Sequence, residues 1–335
     1  MSKRVLVTGG TGFIGHYIIG RLIQSGYTVS ALVRKGSTHI HTLSVFDRQI
    51  QIFWGDINDV ESIELACMDQ DIVVHAAAVV AFDAGQSRDL LKVNVEGTAN
   101  LVNVCLEKNI IQFVHLSSIA ALGGVPGQFN LDESTLWNEK TTNLYAKSKH
   151  QAELEVWRGS AEGLEVTILN PSLVIGPWDT AHHSMQLFKG ALNNLPFYPS
   201  GSNGFVDVRD VAEAVILSLE KKLTLERIII NGYNLSYREM LGRISSLMGK
   251  NPPTFLFPKS LARFGAWVVR LFAFLLGRKH YFQASIIKSI YTPSSYNNKK
   301  SIELLGLQYR PLDQTLNEII TRYTEFDKIK SIPNA

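Results

Sequence analysis

A chain of 335 residues, 45% hydrophobic and 19% charged, is long enough for a large α/β domain plus a smaller one. Its net charge of +3 argues against a nucleic-acid partner, and the two cysteines, Cys67 and Cys105, have no metal-ligand spacing. A reduced, cytoplasmic compartment is expected, because the one possible disulfide is unneeded in a chain this size, and MSKRVLVTGG enters an apolar strand at once with no signal-peptide pattern.

In chain order, RVLVTG reads as a strand, FIGHYIIGRLIQSG as a helix ending at Gly26, and TVSALV as a second strand. IQIFWGD and DIVVHAAA read as the third and fourth. A helix from about Ser87 to Lys108 leads to IQFVHLSS, and the helix carrying YAKSK leads to EVTILNPS. This alternation predicts an α/β fold with a doubly wound parallel sheet. From about Asn170 the pattern turns irregular: NPSLVIGPWDT and LPFYPSGSNG read as loops, with a return to the sheet near ERIIIN. KKSIELLG and PLDQTLNEIITRYTEF read as closing helices and IKSIPNA as a frayed tail. His182 and His183 are adjacent rather than spaced on one helix face, so no metal site is expected.

VLVTGGTGFIG sets Gly9, Gly10, Gly12 and Gly15, with Thr11, Phe13 and Ile14 between them, at the joint of the first strand and helix. Both G-x-x-G-x-x-G (9, 12, 15) and G-x-G-x-x-G (10, 12, 15) are satisfied. Glycines there allow a tight turn and close approach to a pyrophosphate held at the helix N-terminus, so a dinucleotide site is predicted. Arg34, beside Lys35, ends the second strand where a NAD-specific protein usually carries an acid. A guanidinium suits a 2′-phosphate, which points to NADP, with NAD as the alternative. The predicted organisation is a dinucleotide-binding domain over 1–170 with a return near 205–235. A smaller, mostly helical substrate domain comes from 171–204 and 236–328.

Tyr145 and Lys149 stand one turn apart on one helix face. An ammonium near a phenol lowers the phenol's pKa and makes a proton donor for use near neutral pH. TGGTGFIG, GDINDVESI, HAAA, NVEGTANL, HLSSIAALG, YAKSK, NPSLVIGP and FVDVRDVAEA then occur in one order. That order, over about residues 3–325, resembles the extended short-chain dehydrogenase/reductase family (the NAD-dependent epimerase/dehydratase superfamily). It is most similar to the dihydroflavonol-reductase-like and hydroxysteroid-dehydrogenase-like branches. The resemblance implies a Rossmann fold with Tyr145 as proton donor, Lys149 on the nicotinamide ribose and Ser118 as the catalytic hydroxyl. It also implies Asn94 as a helix asparagine supporting the site and Asp56 with Ile57 near adenine. Ala76, Ala77 and Ala78 would lie along the cofactor, and Pro171, Leu173 and Val174 at the nicotinamide edge.

The activity implied is NADPH-dependent reduction of a small to medium apolar ketone or aldehyde. A nucleotide-sugar epimerase with bound NAD(P) is the alternative. Dehydratases of this kind carry Asp-Glu after the catalytic hydroxyl, whereas Ser118 is followed by Ile119 and Ala120. A binding protein without catalysis would be expected to lose Tyr145 or Lys149. The expected partner is a small carbonyl or hydroxyl substrate, with no nucleic acid. By analogy, a homodimer would form through the helices around 87–108 and 143–160. LARFGAWVVRLFAFLLGRKH, residues 261–280, is too interrupted to span a bilayer. It is expected to be a core or substrate-domain helix, with an apolar pocket wall or a membrane-surface contact as alternatives.

Overall fold

The structure is a computed structural model that describes residues 2–80, 87–124, 127–139, 142–178, 194–275 and 284–330. The first half alternates as its sequence predicts: β1 (Arg4–Thr8), α1 (Phe13–Gln24), β2 (Thr28–Val33), β3 (Ile50–Trp54), α2 (Val60–Cys67) and β4 (Ile72–His75). Then come α3 (Ser87–Leu91), α4 (Gly97–Glu107), β5 (Gln112–Leu116), α5 (Leu144–Ala161) and β6 (Glu165–Pro171). The second half holds β7 (Leu173–Ile175), β8 (Phe197–Tyr198), β9 (Ser202–Asp207), α6 (Val208–Glu220) and β10 (Glu226–Ile230). It closes with β11 (Tyr233–Ser236), α7 (Tyr237–Leu247), β12 (Phe255–Leu256), α8 (Lys259–Leu275), α9 (Ala284–Ile290) and α10 (Leu312–Lys330).

Seven parallel strands form one sheet in the order β10-β6-β5-β4-β1-β2-β3, so the return near ERIIIN is β10 beside β6. The period-two alternation of β1 sorts its side chains between two cores. Val5 and Val7 pack with Ile18 and Leu22 of α1 and Val211, Val215 and Leu219 of α6. Leu6 faces the other side, with Ile63 of α2, Leu101 of α4 and Val156 of α5. A third core, around Phe205, Tyr237, Met240, Leu312 and Leu316, lies off the sheet. The chain reverses between β1 and β4, and β5 and β6 end on the same side, so the ligand crevice of a doubly wound sheet falls there.

Four expectations need correction. The helix expected over 87–108 is interrupted by a π turn, Lys92–Glu96, between α3 and α4. The segments read as loops contain β7, β8 and the start of β9, because strands of three, two and six residues are too short to carry a long periodic pattern. KKSIELLG makes one π turn, Ser301–Leu305, stopped by Gly306 at φ +69°. Finally, α8 is not a core helix: Leu261, Phe264, Trp267 and Val269 are all exposed. His182, His183 and the last residues of the IKSIPNA tail lie outside the described residues.

Candidate active site

The glycine turn is built on the 9-12-15 spacing. Gly9 has φ +74°, and a Cβ there would stand 2.6 Å from the backbone of Ala76 and Ala77. A Cβ on Gly15 would strike the Gly9 carbonyl. Gly12 caps α1 without a side chain, and the first turn, with Phe13 and Ile14, holds no acid. Its N–H groups are therefore open to an anion, and the cradle fits a pyrophosphate. Gly10 has no such backbone constraint; a Cβ there would meet the Ile19 side chain.

The walls follow the strand ends. Arg34 is exposed after β2, with no ion-pair partner among the described residues. The turn that follows is tied to the glycine loop by Ser37 Oγ donating to Thr11 Oγ1 at 3.3 Å. One oxygen of Asp56 accepts from the backbone and side chain of Asn58, at 2.9 and 3.0 Å. The Ile57 side chain is buried, facing Gly97 where a Cβ would meet it at 2.9 Å. Ala76 and Ala77 lie against Gly9, Ala77 donating to Thr8 Oγ1 at 3.2 Å, and Ala78 is exposed at the rim. Pro171 ends β6 buried, and Leu173 and Val174 are partly exposed on β7. The chain beyond them is pinned to α1 by Tyr17, whose hydroxyl donates to Pro177 O at 2.6 Å.

Asn143 caps α5 by accepting from Ala146 N at 2.8 Å, which places Tyr145 in the first helical turn. The Tyr145 hydroxyl faces that of Ser118, which favours the phenolate and lowers the phenol's pKa. Ser118 itself caps a short 3-10 turn after β5, accepting from Ala120 N at 3.1 Å. Lys149 is 2% exposed and donates from Nζ to Leu116 O at 2.8 Å. Burial presses its pKa down to about 8, partly opposed by the Glu153 carboxylate. The tuning expected of Tyr145 is thus reversed. Burial raises its pKa above the usual 10, the facing Ser118 hydroxyl only offsets this, and Lys149 does not lower it. The reason is direction: the ammonium is turned to a strand-end carbonyl.

Asn94 sits in the π turn, fully buried. Its Oδ1 accepts from Val79 N at 2.7 Å, and its Nδ2 donates to Val79 O and to Ser148 Oγ, both at 3.0 Å. Every amide atom of Asn94 is thus engaged in the protein. The side chain ties the β4 loop to the turn of α5 between Tyr145 and Lys149.

The sequence reading missed Glu153, one turn beyond Lys149 on the same face and 2% exposed. Its Oε1 accepts from Ser117 Oγ and, at 2.6 Å, from Asn170 Nδ2; its Oε2 pairs with Arg227 at 2.9 Å. Asn170 Nδ2 also donates to Ser118 O at 2.9 Å. One carboxylate thereby joins the ends of β5 and β6 to β10 beneath the site. The signal was present as Tyr-x3-Lys-x3-Glu.

Residues 5–231 match the model of the NAD dependent epimerase/dehydratase family. Over 99% of this chain and 97% of its own length, a dihydroflavonol-4-reductase-like protein of Synechocystis sp. is 29% identical. Cinnamoyl-CoA reductase 1 of Oryza sativa is 28% identical over 95% of this chain and 90% of its own. The gox2253 crystal structure superposes with a TM-score of 0.81 at 28% identity, covering 97% of this chain and 99% of that one. The glycine cradle, the Ser118–Tyr145 contact and this match agree: the chain belongs to the NAD dependent epimerase/dehydratase family, as an NAD(P)-dependent oxidoreductase of the extended short-chain dehydrogenase/reductase type.

Proposed function

We infer that the protein uses NADPH to reduce the carbonyl of a small to medium apolar ketone or aldehyde. The observation that carries this reading is that Tyr145 faces Ser118 at the carboxyl end of β5, one helical turn from buried Lys149. When bound, the nicotinamide supplies hydride to the carbonyl carbon. Ser118 donates a hydrogen bond to the carbonyl oxygen, and Tyr145 gives it the proton. A phenol kept protonated by burial suits a donor in the reductive direction. The Gly9–Gly15 turn would hold the pyrophosphate and Arg34 the 2′-phosphate, with residues 171–204 and 236–328 enclosing the substrate. The reductase names of the relatives support reduction over epimerisation.

The test is NADPH consumption against a panel of aldehydes, ketones and nucleotide sugars. Oxidation with an apolar carbonyl is expected. Epimerisation of a nucleotide sugar without net consumption of NADPH would replace this reading with the epimerase one.

A further inference from the structure

From Met240 to Ile302 the sequence carries ten Lys and Arg and not one Asp or Glu, although the whole chain has 30 acids against 33 bases. Among the described residues, the same stretch holds the largest run of exposed apolar side chains. Phe255 and Leu256 on β12 are 62% and 51% exposed; on α8, Leu261, Phe264, Trp267 and Val269 are 54%, 62%, 58% and 47% exposed. Single exposed apolar residues need no explanation, but six within fifteen positions make a surface that costs free energy in water. At a 3.6-residue period, positions 259, 263 and 270, all basic, share one stripe along α8. Lys259 and Arg263 have no acidic partner among the described residues. No helix among those residues is long and apolar enough to cross a membrane.

We propose that α8 and β12 form a docking surface for an anionic lipid bilayer, with α8 lying in the headgroup region. At 17 residues α8 is about 25 Å long, enough to lie along the interface with its aromatic side chains inserted and its cations at the phosphates. Charge selects this occupant over a second copy of the chain. A two-fold contact would set Lys259 and Arg263 against their own copies and bring like charges together, whereas anionic headgroups neutralise them. The surface is built independently of the hydride-transfer site and does not rest on the function proposed above.

The experiment is co-sedimentation of the full chain with vesicles of phosphatidylcholine alone and of an equal mixture of phosphatidylcholine and phosphatidylglycerol. Binding is expected only to the anionic vesicles, weakening as salt is raised. Each cation at the surface is worth roughly fivefold in partition, so Lys259→Glu with Arg263→Glu should lower it by at least about 25-fold. Phe264→Ser with Trp267→Ser should also abolish binding. Trp267 fluorescence, isolated by subtracting Trp267→Phe, should shift blue on adding anionic vesicles. Circular dichroism checks that each variant is folded; the exposed charge reversals should leave it unchanged. Equal partition to both vesicles, no binding to either, or full binding by the charge-reversed variant overturns the proposal. A dimer that Phe264→Ser with Trp267→Ser dissolves, without lipid binding, overturns it too and assigns the face to a second copy.

Discussion

The Lys149 ammonium donates to the Leu116 carbonyl at the end of β5, 2.8 Å away, and is held there fully buried. Its pKa of about 8 stands below the ordinary value of 10.5, so folding disfavours its charged form. At pH 7 lysine is charged in both states and the cost is present in full. Stability therefore rises with pH between about 8 and 10.5, where the unfolded chain holds the extra proton. Lys149→Met should stabilise the fold at pH 7 by roughly 1–3 kcal/mol while impairing turnover and cofactor affinity. Chemical denaturation of both forms checks this; a large loss of stability would show that the lysine supports the fold.

Tyr145→Phe keeps the ring and deletes the hydroxyl that faces Ser118. Reductive turnover should fall by roughly 10²–10⁴-fold with little change in cofactor affinity. Because burial holds the phenol protonated above its usual range, the alkaline decline in the wild type should follow Lys149 losing its proton near pH 8. A pH–rate profile of NADPH oxidation separates the two. Full turnover by Tyr145→Phe would remove the proton donor from the mechanism.

Arg34→Asp exchanges a phosphate partner for an acceptor of ribose hydroxyls, so preference should move from NADPH toward NADH. Fluorescence titration with each cofactor measures the shift. Equal affinities in the unmutated protein would show that Arg34 does not read the 2′-phosphate.

Glu153→Gln should destabilise the protein by on the order of 3 kcal/mol, since it strands Arg227 beside a neutral amide. The change lies beneath Ser118 and Lys149, so it should also displace the alkaline limb of the pH–rate profile. Thermal unfolding together with that profile tests both effects.

His75 and His115 are buried on neighbouring strands with ring centroids 5.1 Å apart. Burial, and then the charge of Lys149, lowers both pKa values, His75 to about 3. Neither takes a proton in the folded state as pH falls from the unfolded value of about 6.5, so stability declines by up to about 1.4 kcal/mol per pH unit for each. Among the described residues, His115 has no hydrogen-bond partner for either ring nitrogen. His115→Phe should therefore remove that residue's share of the loss measured by denaturation at pH 7 and pH 5, and an unchanged slope would contradict the assignment.

Local periodicity in the sequence was sufficient to determine the strand–helix alternation, the glycine turn and the shared face of Tyr145 and Lys149. Each depends on residues a few positions apart, whose geometry the backbone repeat dictates. The tertiary structure decided what those residues face. Lys149 turns to a carbonyl 33 positions away, and Glu153 is buried by partners at Ser117, Asn170 and Arg227. Asn94 is consumed by Val79 and Ser148, and α8 keeps its aromatic residues outside the core. Burial and charge environment sum over residues distant in sequence, and desolvation sets the sign of a pKa shift. For that reason the spacing of Tyr145 and Lys149 located the pair, while only the packed strand ends fixed which of the two is depressed.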